Sequence, residues 1–183
     1  MNSKTKLKIL FLCTGNSCRS QMAEGFARHL KHKDIEAYSA GIAPKGIDPM
    51  ALKAMAEVGI DISAQKSKNI DEMRKQHIEF DYVITLCDNA QKTCPSFPAK
   101  TKVVHVAFDD PPKLVAGIKN EERALDNYRR VRDEIRSFVK HLPQNLMQDV
   151  SNERSMEQAN LQADFKTILE NLHEKTAAKR DEP

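Results

Sequence analysis

The residues best placed for chemistry fall in two short stretches. In KILFLCTGNSCRSQMAEGF (8–26) an apolar run ends at Cys13, and Arg19 follows six residues later, where a helix-forming stretch begins. Between them lie Thr14, Gly15, Asn16, Ser17 and Cys18, and Ser20 comes directly after the arginine. A loop that opens a helix presents backbone N–H groups with partial positive charge, which is an anion site. Gly15 and Asn16 are the residues expected to take left-handed angles and curl that loop inward. The guanidinium of Arg19 can grip two oxygens of a tetrahedral oxyanion at once. The same field stabilises a thiolate at Cys13 and makes it a nucleophile, with Ser20 positioned to donate a hydrogen bond to the sulfur. A single cysteine after an apolar strand is more often a structural thiol; the C-x5-R-S pattern between a strand and a helix is what favours catalysis. Cys18 belongs to the anion loop but is given no chemical step.

The second stretch, TLCDNAQKTCPSF (85–97), carries Cys87 and Cys94. Zinc is a poor fit for the four cysteines, because their internal spacings of x4 and x6 are not the short pairs of a zinc site in both halves. The segment from Cys87 to Cys94 precedes Pro95 and reads as a short helix ending before the proline. Along a helix, seven residue steps span ~10.5 Å. That exceeds the roughly 7 Å between Cα atoms that a disulfide tolerates, so a bond between these two cysteines requires the helix to unwind. A third feature, FDDPP (108–112), is an acidic turn that could supply a proton.

These groups need elements to hold them. LKILFL (7–12), EAYSAG (36–41), DYVITL (81–86) and KVVHVAF (102–108) read as strands. SQMAEGFARHLKH (20–32), a helix capped by Asp48 with Pro49 at its first position and ended at Gly59, and NEERALDNYRRVRDEIRSFVKHL (120–142) read as helices. The alternation predicts an α/β fold, a four-stranded parallel sheet with helices on both faces. Ligands in such folds sit beyond the carboxyl ends of the strands. Cys13, Cys87 and Asp109–Asp110 each follow a predicted strand and should meet at one sheet edge.

The chain has 183 residues, 40% of them apolar and 30% charged, enough for one domain and an appendage. No apolar run approaches the roughly 18 residues of a membrane span. The basic N-terminus leads into a short strand with no small-residue cleavage site after it, so a cytoplasmic protein is expected. Four cysteines in that setting suit catalysis or metal binding rather than structural disulfides. Residues 144–183 hold five basic and eight acidic residues, a net of −3 against the chain's +3, which leaves +6 on residues 1–143. A basic body suits small anions, and without interleaved aromatics nucleic acid is not expected. The division drawn is a catalytic domain over 1–143 and a helical or partly disordered extension over 144–183, whose Leu161, Phe165, Ile168, Leu169 and Leu172 recur at helical spacing.

CTGNSCRSQMAEG resembles the phosphate-binding loop of the low-molecular-weight protein tyrosine phosphatase superfamily, and most closely that of its thioredoxin-coupled arsenate reductases. YSAGI, AMAEVGIDIS, VITLCDNAQKTCP, FDDP and RVRDEI extend the resemblance in order, from about residue 7 to 140. It implies arsenate bound by residues 14–20, with Cys13 as nucleophile, Arg19 as anion clamp and Asp110, before the proline, as general acid. It further implies that Cys87 attacks Cys13 to release arsenite, that Cys94 then attacks Cys87, and that thioredoxin reduces the resulting disulfide without a bound cofactor. Some relatives hold potassium near the loop on residues matching Asn16, Glu24, Ser39 and an aspartate. Lys68 stands at the aspartate's position, so no potassium requirement is expected. The alternatives are a phosphotyrosine phosphatase, and a non-catalytic thiol sensor. Pro112, Lys113 and Leu114 follow the acid where phosphatases of this fold usually carry aromatics.

Overall fold

A computed structural model describes residues 5–87 and 95–146 of the chain. Cys94, the helix expected between it and Cys87, and the extension from residue 147 onward lie outside the described residues. By contact the chain divides into Met1–Leu142 and Pro143–Pro183, and the elements below all belong to the first unit.

Strand β1 (Leu7–Cys13) is followed by α1 (Arg19–Leu30), β2 (Ile35–Gly41), α2 (Pro49–Ala56) and α3 (Ile70–Lys75). Then come β3 (Tyr82–Thr85), β4 (Lys102–His105), the single turn α4 (Pro111–Leu114) and the long α5 (Glu121–Lys140). The four strands form one parallel sheet in the order β2-β1-β3-β4, with Cys13 level with Gly41 and Leu12 level with Thr85.

Buried on both faces, β1 needs no polar alternation and reads as a continuous apolar run. Leu10 and Leu12 join Val83 and Ala40 in a cluster closed by Ile70 and Met73 of α3. Ile9 and Phe11 alternate to the opposite face, where α1 packs on α5 and α5 on α2. In the order β2-β1-β3-β4 the chain passes from β1 to its neighbour on one side, β2, and returns to its neighbour on the other, β3. The crevice this leaves beyond the ends of β1 and β3 is where such sheets bind ligands.

Three local readings are corrected. Helix α3 has no counterpart among the elements read from sequence. It is six residues long with two apolar anchors, too short to show a period, and it begins because Asn69 accepts from the Asp71 amide. Strand β4 stops at His105 rather than 108. Beyond it Val106 and Phe108 still donate to Thr85 and Leu86, but the chain is already turning into the acidic loop. The acidic turn itself continues into a helical turn, α4, with Asp110 at its N-cap and Pro111 at its first position. Among the described residues no helix is long and apolar enough to cross a membrane.

Candidate active site

The loop between β1 and α1 is wound around the Cys13 sulfur. That sulfur accepts from the Asn16 amide at 3.2 Å and lies 2.9 Å from the Ser20 hydroxyl. Ser20 Oγ itself accepts from Asn16 Nδ2 at 2.9 Å, which leaves its hydrogen for the sulfur. Two donors therefore converge on Cys13, the arrangement a thiolate needs.

Asn16 makes the turn, at a φ of 42°. Gly15 does not share that conformation, contrary to expectation. One left-handed residue suffices because the Asn16 side chain is tied down on all sides. Besides Ser20 it donates to Ser39 Oγ at 2.9 Å, and its Oδ1 accepts from the Lys68 amide at 2.7 Å and from Gln21 Nε2 at 3.1 Å.

Arg19 opens α1 and is buried. Its Nη1 donates to the Phe108 carbonyl at 3.0 Å and to that of Leu86 at 3.4 Å. Its Nη2 lies 3.1 Å from Asp110 Oδ1, so the arginine ties the loop to the ends of β3 and β4. Asp109 points elsewhere, paired with Arg130 of α5 at 2.8 Å. Phe108 packs edge-on against Phe138 of the same helix. The two neighbouring aspartates thus have separate partners, and it is Asp110 that faces the arginine.

Cys87 sits against Cys13 in a small buried cluster, and its thiol is 3.5 Å from the Thr14 hydroxyl. Cys18 is buried too. Desolvation, reinforced by the nearby Asp48 charge, pushes its thiol well above the ordinary range, so it remains protonated. Thr14, Gly15, Ser17, Cys18, Arg19, Cys87 and Asp110 wall a cavity of about 600 Å³, with Lys45, Asp48 and Lys113 also on its wall. Residues from four loops, each after a different strand, meet there. Lys45 and Asp48 escaped the sequence reading as site residues; Asp48 gave a signal only as a helix cap.

Behind the loop lies Glu24, 1% exposed. It accepts from the Ser39 hydroxyl and pairs with Arg28 at 2.5 Å and Lys68 at 3.6 Å. An ammonium stands where a potassium ion would need a carboxylate, so the residues present do not fit that ion.

A family model described as low molecular weight phosphotyrosine protein phosphatase matches residues 8–152. An arsenate reductase of Halalkalibacterium halodurans is 49% identical over 140 residues, 76% of this chain and 95% of its own length. One of Staphylococcus aureus is 45% identical over 137 residues, covering 75% and 96%. Among solved structures, an arsenate reductase in its oxidized state is 33% identical with a TM-score of 0.59, over 74% of this chain and 95% of that one. Another in a phosphate-binding state is 32% identical with a TM-score of 0.57, over the same shares. A thioredoxin-dependent arsenate reductase of Corynebacterium glutamicum is 26% identical with a TM-score of 0.52, over 75% of this chain and 62% of that one. With the match running from the first strand through the last helix, the chain belongs to the low molecular weight phosphotyrosine protein phosphatase family, and within it to the arsenate reductases.

Proposed function

We propose that the protein reduces arsenate to arsenite through three cysteines and is recycled by thioredoxin. The observation that carries this reading is a second thiol, Cys87, packed against the nucleophile Cys13. Phosphoryl hydrolysis has no use for it. Arsenic(V), unlike phosphorus(V), can accept two electrons, and a neighbouring thiol is what delivers them.

Arsenate enters the loop of residues 14–20 and is held by backbone N–H groups and Arg19. The Cys13 thiolate forms a bond to arsenic, and Asp110 gives its proton to the oxygen that leaves as water. Cys87, as thiolate, attacks the Cys13 sulfur. A sulfur–sulfur bond forms, the sulfur–arsenic bond breaks, and its electron pair stays on arsenic, which departs as arsenite. Cys94 then attacks Cys87, freeing Cys13 as thiolate, and the Cys87–Cys94 disulfide is reduced by the dithiol of thioredoxin. The chemistry uses residues of 1–143 alone and needs no bound cofactor or potassium. A thioredoxin donor suits the reducing cytoplasm.

A second reading has support from the same geometry. The thiolate cradle, Arg19 and Asp110 form a complete set for hydrolysing a phosphate monoester, so slow aryl phosphate cleavage is expected as a side activity. The residues after the acid, Pro112, Lys113 and Leu114, offer no aromatic ring for a phenol, which argues against phosphotyrosine as the main substrate. A non-catalytic thiol sensor leaves the arginine and the acid without a purpose.

The test is arsenate-dependent oxidation of thioredoxin, coupled to its reductase. Cys13→Ser should abolish both this turnover and aryl phosphate cleavage. Cys87→Ala and Cys94→Ala should each abolish the turnover and leave phosphate cleavage largely intact. If both of the latter variants also lost phosphatase activity, the two cysteines would be structural and the relay wrong.

A further inference from the structure

Asp48 poses a problem that the proposed reaction does not resolve. Asp48 lies on the wall of the anion cavity, where its negative charge opposes an incoming oxyanion. The structure shows how it is restrained. Oδ1 accepts from the amides of Met50 and Ala51, at 2.8 and 3.1 Å, as the cap of α2. Oδ2 accepts from the Tyr128 hydroxyl at 3.0 Å. The backbone amide of the same aspartate donates to the Ser17 carbonyl at 3.0 Å, inside the anion loop. Tyr128 is 2% exposed and comes from α5, eighty residues away in the chain.

We propose that Tyr128 is a positioning residue for oxyanion binding: its hydroxyl holds the Asp48 carboxylate in the capping orientation, where it does not compete for the cavity while the Asp48 amide fastens Ser17. Three donors then hold the carboxylate, two amides on one oxygen and one phenol on the other. The pinned Ser17 carbonyl points to Asp48, so it does not turn toward the anion. Without the phenol, Oδ2 loses its donor and is left with a cavity wall on one side and water or the loop amides as replacements. Burial and the Asp48 charge push the Tyr128 phenol far above its ordinary range, so it donates at every working pH. The inference rests on the loop being an oxyanion site, which the proposed function also requires.

The experiment is a cycle of Tyr128→Phe, Asp48→Asn and the double variant in the full-length chain. Affinity for inorganic phosphate is measured by calorimetry, and KM and kcat are measured for arsenate. Phe keeps the ring and its packing, and Asn still caps a helix while removing the charge. Tyr128→Phe should weaken phosphate binding and raise KM by roughly threefold to tenfold, the scale of one ordinary net hydrogen bond, with kcat little changed. In the Asp48→Asn background the same substitution should have no effect on phosphate affinity. Equal penalties in both backgrounds, or no penalty in either, would overturn the proposal and make Tyr128 a packing residue. Should Tyr128→Phe not fold, Asp48→Asn alone decides, since it must bind phosphate at least as tightly as the natural chain. Because phosphate is not reduced, this outcome is independent of whether the enzyme reduces arsenate, which the natural chain's own turnover reports.

Discussion

Gly41 ends β2 beside the anion loop, and adding one methyl group there tests how finely that loop is placed. A Cβ at residue 41 would lie 2.7 Å from the Asn16 amide nitrogen, 2.8 Å from the Thr14 carbonyl oxygen and 2.9 Å from Asn16 Cβ. All three are backbone or first-carbon atoms, so no side chain can swing aside. Ordinary contacts of this kind are about 3.4 Å, so the loop or the strand must yield by roughly 0.5–0.7 Å. The atom pushed hardest is the amide that donates to the Cys13 sulfur. A misplacement of ~1 Å can cost about a hundredfold in rate, so Gly41→Ala should lose about tenfold to a hundredfold in kcat/KM for arsenate. In free energy that is roughly 1.4–2.7 kcal/mol. Overpacking of this sort costs about 1–3 kcal/mol of stability, which a domain of ordinary stability survives folded. Gly25→Ala is the control. Its Cβ would meet the side chains of Ile62 at 2.6 Å and Met55 at 3.3 Å, away from the loop. It should lower the melting temperature and leave kcat/KM near the natural value. The assay pairs arsenate turnover with the rate of Cys13 alkylation. A folded Gly41→Ala chain with natural turnover and alkylation would refute the claim that the loop is held to a fraction of an ångström.

Two further outcomes are expected. Arg19→Lys should lose roughly 2–5 kcal/mol in kcat/KM, because a point charge cannot serve the carbonyls of Phe108 and Leu86, Asp110 and an oxyanion together; phosphate binding by the lysine variant at natural affinity would remove the arginine from the site. Replacing potassium by a large organic cation should leave arsenate turnover unchanged, since Lys68 already stands beside Glu24; activation of several-fold by potassium would contradict this.

What could be read from sequence follows how local each determinant is. Strand β1, its loop and α1 are contiguous, and their order, an apolar run, a small polar turn and an amphipathic run, states the element and the anion site together. Convergence at one sheet edge was legible because a parallel α/β sheet leaves its loops at the carboxyl ends of the strands wherever the strands fall. The exact length of β4 was not, since Val106 and Phe108 are as apolar as the strand before them, and only the pairing shows where it ends. Nor was α3, whose two apolar residues carry no period.

The separation of Asp109 from Asp110 marks a different limit. Sequence places both on one turn and names the acid only by its proline neighbour. Their distinct environments come from elements far away in the chain, Arg19 at the start of α1 for one and Arg130 in α5 for the other. The same helix supplies Tyr128 to Asp48 and Phe138 to Phe108, so α5 contacts both loops that flank the cavity. In the sequence α5 announces only an amphipathic stripe, which explains burial but not which polar residue it delivers where. A catalytic loop can thus be recognised from twenty consecutive residues, whereas what holds its charges in their places is distributed over a helix that begins a hundred residues later.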